Sequence, residues 1–325
     1  MAEMFGVDIA GRVKNYKLKK SEALFPLFEA VVNSIQAIDD RREENESAPG
    51  GEIEIEIVRD SLLPLDGVGD PEVAGLIVRD NGIGFNEANF KSFLQSDSTY
   101  KERRGGKGVG RFCWLKVFSN ARIVSNFQEG SIGYCRSFDF NLTTESLDDS
   151  VAGMKGDVGT VLTLSGITPE FKHAIPRSVD EIAVSIMHHC ALFFLLDGCP
   201  SIVLKDEDRT LSLNDEFIRA FKEARTSRSF NIKGHDFELT SIRMDIEDVG
   251  NVKLDKKNRV MLCANNRCVE ELSVDDHLKG LGPILKTKHK FYYLGILTGG
   301  YLEKKLMPIV FRFPLRRRVR FLRRR

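Results

Sequence analysis

Three short stretches combine residue types that could do chemistry at the spacings they occupy. From Ser21 to about Arg42, Leu24, Phe28, Val31, Ile35 and Ile38 recur at intervals of four and three, the period of one helix face. On that helix Glu29 and Asn33, four apart, project from nearly the same side, with Gln36 about a turn further on. A carboxylate beside a phosphate can orient and deprotonate a water, and an amide oxygen is a hard ligand suited to Mg²⁺; the same pair also suits an ordinary solvated helix face. Asp80 follows the apolar run Ala74–Arg79 and precedes Gly82 and Gly84. Glycines there let the chain turn tightly and admit a ligand close to the backbone, and Asp80 could accept a hydrogen bond from an exocyclic amine such as that of adenine, or simply form an Asx turn. The third stretch, Gly105-Gly106-Lys107-Gly108-Val109-Gly110, opens a helix start over Arg111–Phe118. Backbone N–H groups at such a point form an anion site, and Lys107 suits it to polyphosphate. It fits neither Walker A nor G-x-G-x-x-G.

The elements that must carry these residues can be read around them. Residues 45–51 (NESAPGG) are a turn, and Ile53, Ile55 and Ile57 alternate with Glu52, Glu54 and Glu56, the period of a strand with one wet face. Pro26 falls where a helix's first turn tolerates it. After the third glycine stretch, strands are expected at about 121–127, 132–140 and 159–165, then a helix over Val179–Leu196 that stops at Asp197-Gly198-Cys199-Pro200. Strand candidates at 201–205, 236–243, 259–264 and 291–297 form a second domain from about 199. Helices alternating with strands and then strands in succession predict an α+β sandwich with helices on one face, and not a doubly wound sheet.

In order and spacing, Glu29-Ala-Val-Val-Asn33, Asp80-Asn-Gly82-Ile-Gly84, Gly105-Gly-Lys-Gly108-Val-Gly110 and Gly159-Thr160 resemble the motif series of the GHKL ATPases, the nucleotide domain shared by gyrase B, MutL, MORC proteins and heat shock protein 90. The resemblance covers about residues 20–200 and implies a Bergerat-type two-layer sandwich, helices on a mixed, mainly antiparallel sheet, that binds ATP and Mg²⁺. It implies Glu29 as general base for water attack, Asn33 as Mg²⁺ ligand, Asp80 reading adenine and Thr160 supporting it through a water. It also implies Gly82 and Gly84 shaping the base pocket, residues 105–110 capping the phosphates, and residues 86–104 as a lid whose closure accompanies ATP-dependent homodimerisation. Catalysis by such a site rests on positioning and charge stabilisation. Where the family carries Asp, this chain has Gln36, an amide that hydrogen-bonds without supplying charge. Arg259–Val269 resembles the Asn-Gly-Arg strand of a MutL-type transducer, which implies a smaller, complete or partial α/β domain over 199–303 after an ATP-binding domain over 1–198. Such a domain sends a basic residue to the γ-phosphate, and Lys286, Lys288 and Lys290 are the candidates. A sensor histidine kinase shares the nucleotide fold, but only some 20 residues precede the first motif helix, too few for its phosphorylated hairpin. A non-hydrolysing nucleotide-dependent switch is the other alternative.

Composition bounds the reading. With 325 residues, 42% hydrophobic and 29% charged, the chain has the make-up of ordinary globular domains and not of a disordered or collagenous chain. Net charge is +1, yet residues 312–325 hold eight Arg and no acid, leaving −7 on the first 311 residues. This tail over 304–325, with Arg316, Arg317, Arg318 and Arg320, admits three readings: a salt-sensitive contact to an acidic partner such as nucleic acid, a solvated end, or a non-native reading frame. Six Cys without a C-x-x-C pair read as reduced thiols, and no secretory h-region or apolar run of bilayer length occurs; the expected location is the cytoplasm. His188-His189-Cys190, Cys263 and Cys268 have no metal-ligand spacing, and Trp114 is expected in the core.

Overall fold

The computed structural model describes residues 9–61, 70–94, 110–144, 150–154, 156–195, 198–207, 209–220, 223–245, 258–264, 267–276, 278, 283–286 and 289–306. The chain divides into two compact units, Met1–Lys222 with Asp245–Asp255, and Glu223–Met244 with Lys256–Arg325. The first contains helices α1 (Ile9–Asn15), α2 (Phe25–Glu44), α3 (Glu87–Leu94), α4 (Gly110–Val117), α5 (Val179–His189), α6 (Ala191–Leu195) and α7 (Leu213–Ala220). Its strands are β1 (Glu52–Arg59), β2 (Val73–Asp80), β3 (Phe118–Glu129), β4 (Ile132–Asn141), β5 (Ser150–Gly153), β6 (Gly159–Ile167), β7 (Ser201–Asp206) and β8 (Arg209–Ser212).

These strands form one sheet in the order β5-β4-β3-β6-β2-β1-β7-β8. Every pairing is antiparallel except β1 with β7, so the unit is α+β with a mixed sheet. In β1 the Ile53, Ile55 and Ile57 side chains are buried, while on the other face Glu54 meets Arg79 and Lys205 and Glu56 meets Arg79. The buried face continues through Leu76, Val78, Leu162, Leu164, Ile123, Phe138, Ile202 and Leu204. Helix α2 packs against β1 and β2, and α4 against β3 and α2. Pro26 stands in the first turn of α2; Val31, Ile35 and Ile38 are buried as the spacing predicts, while Phe28 is half-buried and Leu27 takes the inner position beside it.

Two elements differ from the sequence expectation. Strand β7 does not open a second domain at 199: it adds to β1 in parallel register from Glu52↔Ser201 to Ile57↔Asp206, so the first unit runs past 198 to Lys222. The reason is burial and charge together. Ile202 and Leu204 lie on the inner face beside Ile53 and Ile55, and Arg59 makes a bidentate bond to Asp206 at 2.7 and 2.5 Å, with both side chains nearly buried. The helix expected over Val179–Leu196 is interrupted at Cys190, whose backbone leaves the helical region between α5 and α6.

The second unit holds β9 (Glu223–Ile232), β10 (His235–Asp245), β11 (Arg259–Ala264), β12 (Arg267–Ser273), β13 (Ile284–Lys286), β14 (His289–Thr298) and helix α8 (Gly300–Leu306). Its sheet runs β12-β11-β14-β10-β9, with β13 beside β14 and the β11–β14 pair parallel. Helix α8 packs on β11, with Leu302 against Ala264, Phe237, Leu262 and Leu297. The stretch Arg259–Val269 is a hairpin of two strands and not one. Asn258, fully buried, anchors it by accepting from the Tyr293 N–H and donating to Asp275, each at 2.8 Å. No described helix is long and apolar enough to cross a membrane.

Candidate functional site

Glu29 is half-buried on α2 and Asn33, one turn on, is exposed. The carboxylate of Glu29 lies against the first residue of α4: a Cβ at Gly110 would overlap its Oε2 and stand 3.1 Å from its Cδ. Only glycine at 110 leaves that carboxylate its place, and the place suits it, because the first turn of a helix presents unpaired N–H groups and partial positive charge. Gly105, Gly106, Lys107, Gly108 and Val109 lie outside the described residues.

Further along α2, the turn after β2 is bound to the helix. The Ser34 hydroxyl donates to Asp80 Oδ2 at 2.8 Å and the Gly82 N–H to Asp80 Oδ1 at 2.9 Å. The Ile83 N–H donates to the Ala37 carbonyl at 2.9 Å. That approach requires glycine at 82, where a Cβ would sit 2.6 Å from the Ala37 Cβ. Gly84 has φ +80°, a left-handed conformation, and a Cβ there would lie 2.5 Å from the Asn126 carbonyl. Asn81 holds the other side of the turn: its Oδ1 accepts from the Glu52 N–H, its Nδ2 donates to the Gly50 carbonyl, and its own carbonyl accepts from Arg41. Over the eight residues from Glu29 to Ala37 the helix rises about 12 Å, so α2 presents Glu29 at one end of the site and the Asp80 turn at the other.

The sheet register adds residues that motif reading missed. Asp80 pairs with Thr160, Thr160 with Ser125, and Ser125 with Arg136, which makes one polar row across β2, β6, β3 and β4. Two residues along, the equivalent row is Val78, Leu162, Ile123 and Phe138, apolar throughout. Ser125 is 1% exposed. It accepts from the Phe85 N–H at 2.9 Å, donates to the Gly159 carbonyl at 3.0 Å and lies 2.9 Å from the Thr160 hydroxyl. Arg136, 3% exposed, donates to the Phe85 and Asn86 carbonyls and to Glu87 at 2.6, 3.3 and 2.9 Å. Its guanidinium stacks 4.1 Å from the Phe90 ring centroid and 5.0 Å from that of Phe127. The hydrogen bond from Arg136 holds the Glu87 carboxyl below its usual range. Among the described residues, the buried polar side chains of this unit are Ser34, Gln36, Arg111, Ser125, Arg136 and Thr160. Five of the six lie in α2 or in this row. Buried polar groups cost stability unless hydrogen-bonded, and Ser34, Ser125 and Arg136 find partners in the segment from Asp80 to Glu87. The signal available in sequence was phase: Ser125 and Arg136 are polar at positions where their strands otherwise turn apolar residues inward.

His189 stacks on Phe28, 4.5 Å between ring centroids and 13° between planes, and no cluster of His, Cys, Asp and Glu able to hold a metal occurs among the described residues. Trp114 is buried against Phe93, as expected of a core residue. Cys263 is buried and pairs in register with Cys268. Lys286 and Lys290 fall in the β13–β14 pair; Lys288, Arg316, Arg317, Arg318 and Arg320 lie outside the described residues. In comparisons with known proteins, neither a family model nor a curated protein sequence matches this chain.

Proposed function

We propose that this chain is an ATP-binding protein of the GHKL kind, with a Bergerat-type nucleotide domain, and that it hydrolyses ATP with Mg²⁺. The observation that carries the reading is the division of the site along α2: an Asp80 turn with buried hydroxyls at one end, and Glu29 against the first turn of α4 at the other. The Asp80 carboxylate, oriented by the Ser34 hydroxyl and the Gly82 N–H, accepts from an amine of the base. Glu29 holds a water in line and takes its proton. The N–H groups opening α4 receive phosphate charge. Asn33 fits a cation, because its amide oxygen is exposed one turn from Glu29 and a small hard ion that keeps several waters needs few protein ligands; Mg²⁺ held there would neutralise phosphate charge. The motif resemblance adds nucleotide-dependent dimerisation.

The test is Glu29→Gln, assayed for Mg²⁺-dependent phosphate release and for ATP affinity. Turnover is expected to fall at least about 100-fold, the scale of lost general-base catalysis, with affinity kept within a few-fold. Unchanged turnover would remove Glu29 from its role. One observation favours a second reading, a switch that binds without hydrolysing: Gln36, where the family has Asp, is buried on α2. Wild-type binding without phosphate release selects it.

A further inference from the structure

Ser125 belongs to none of the motifs, yet it is the node where two of them, the Asp80–Gly84 turn and Gly159-Thr160, meet. Its oxygen touches the residue after Gly84, the carbonyl of Gly159 and the hydroxyl of Thr160. A serine hydroxyl has one proton to give and two lone pairs to accept with, and here all three are assigned. The Gly159 carbonyl can only accept, so the Ser125 proton goes to it; were it turned elsewhere, two lone pairs would face each other at 3.0 Å. The Phe85 N–H can only donate, and it occupies one lone pair. The remaining lone pair takes the proton of Thr160 at 2.9 Å. Thr160 is thereby left with lone pairs and no proton to offer a ligand. Asp80, beside it in the row, accepts from Ser34 and Gly82 and likewise offers only lone pairs.

We propose that Ser125 is a specificity-determining positioning residue: by fixing the direction of the Thr160 hydroxyl it makes the Asp80–Thr160 edge acceptor-only, so that the edge takes an amine and turns away a carbonyl. This rests on the reading of the site as one for ATP and deepens it, naming the residue that separates a 6-amino from a 6-oxo purine.

The probe pair is ATP and ITP, which carries a carbonyl where adenine has its amine. Affinities for both are measured on the full chain by titration calorimetry with Mg²⁺. Wild type is expected to prefer ATP. Ser125→Ala frees the Thr160 hydroxyl to donate outward, and the ATP-to-ITP preference is expected to fall about tenfold, the size of one uncharged hydrogen bond. Ser125→Thr, which keeps the hydroxyl, restores the preference. In a Thr160→Val background, Ser125→Ala has no further effect on the ratio, since the hydroxyl it steers is gone. Ser125→Cys, nearly isosteric with a weakly accepting sulfur, gives the same shift should the alanine variant not fold. If Ser125→Ala weakens ATP and ITP equally, or leaves their ratio unchanged, Ser125 is merely structural while ATP binding stands. If wild type binds neither nucleotide, the ATP reading fails and the role of Ser125 with it.

Discussion

Gly110→Ala probes the contact between Glu29 and α4, because it adds one methyl whose three nearest atoms among the described residues all belong to the Glu29 side chain. The new Cβ would overlap Oε2, and would lie 3.1 Å from Cδ and 3.6 Å from Cγ. Carbon atoms pack at about 3.5–4.0 Å, so the carboxylate must swing aside by about 1 Å. The moving group is the half-exposed end of a flexible side chain, and alanine is the better helix former by up to about 1 kcal/mol. The net change in stability is therefore near zero, and the melting temperature should stay within about 4 °C of wild type. A catalytic carboxylate displaced by about 1 Å costs about 100-fold in rate, or about 2.7 kcal/mol in the barrier. Steady-state phosphate release gives kcat, and a thermal melt of the same sample gives stability. Turnover within threefold of wild type and an unchanged melt would show that Glu29 does not face the reacting water. A melt lowered by ten degrees or more would show that α4, and not Glu29, absorbs the clash.

Other perturbations test the supports of the site. Arg136→Met removes a buried guanidinium from two carbonyls and Glu87, and should destabilise by about 2–3 kcal/mol, since hydrogen bonds to charged groups are the stronger kind; urea denaturation measures it, and a change below 0.5 kcal/mol would refute it. Asp206→Ala strands Arg59 between β1 and β7 and should cost about 3 kcal/mol, at the low end for breaking a buried pair because two carbonyls still receive the guanidinium; an unchanged urea midpoint would contradict it. For Glu72, burial works to raise the pKa, but the hydrogen bonds and charges of His173 and Arg177 outweigh it and hold the carboxyl below its usual range. A depressed folded-state pKa contributes stability above the unfolded value and loses it as pH falls through the folded one. Wild type should therefore weaken as pH drops below about 4.5, and Glu72→Gln should show a shallower fall; equal slopes would count against the cluster.

What sequence made legible was local. The spacing of Phe28, Val31, Ile35 and Ile38 marks α2, and the Ile53–Ile57 alternation marks β1, because each pattern is complete within one element. The glycines at 82 and 84 are legible for the same reason: a turn after a strand writes its needs in adjacent residues. Strand β7 was legible as a strand but not as a partner of β1, since parallel pairing across some 150 residues leaves no local mark and Gly198-Cys199-Pro200 looks like a boundary. Ser125 and Arg136 were hidden by the same limit. Each is one polar residue in an ordinary strand, and only the cross-strand register sets them beside Thr160 and Asp80. Helix α3 leaves little mark in the sequence because its apolar Phe90 and Phe93 sit in a polar stretch; they pack on Phe138, with ring centroids 5.4 Å apart in each case.

The most direct measurement is a calorimetric titration of the purified chain with Mg²⁺ and a non-hydrolysable ATP analogue, beside the Asp80→Ala variant. Wild type should bind saturably at one site per chain, and Asp80→Ala, which removes the proposed acceptor for the base, should bind at least about tenfold more weakly, the loss of a charged hydrogen bond. No saturable heat with wild type, or equal affinity in the two proteins, would contradict a nucleotide site at the Asp80 turn.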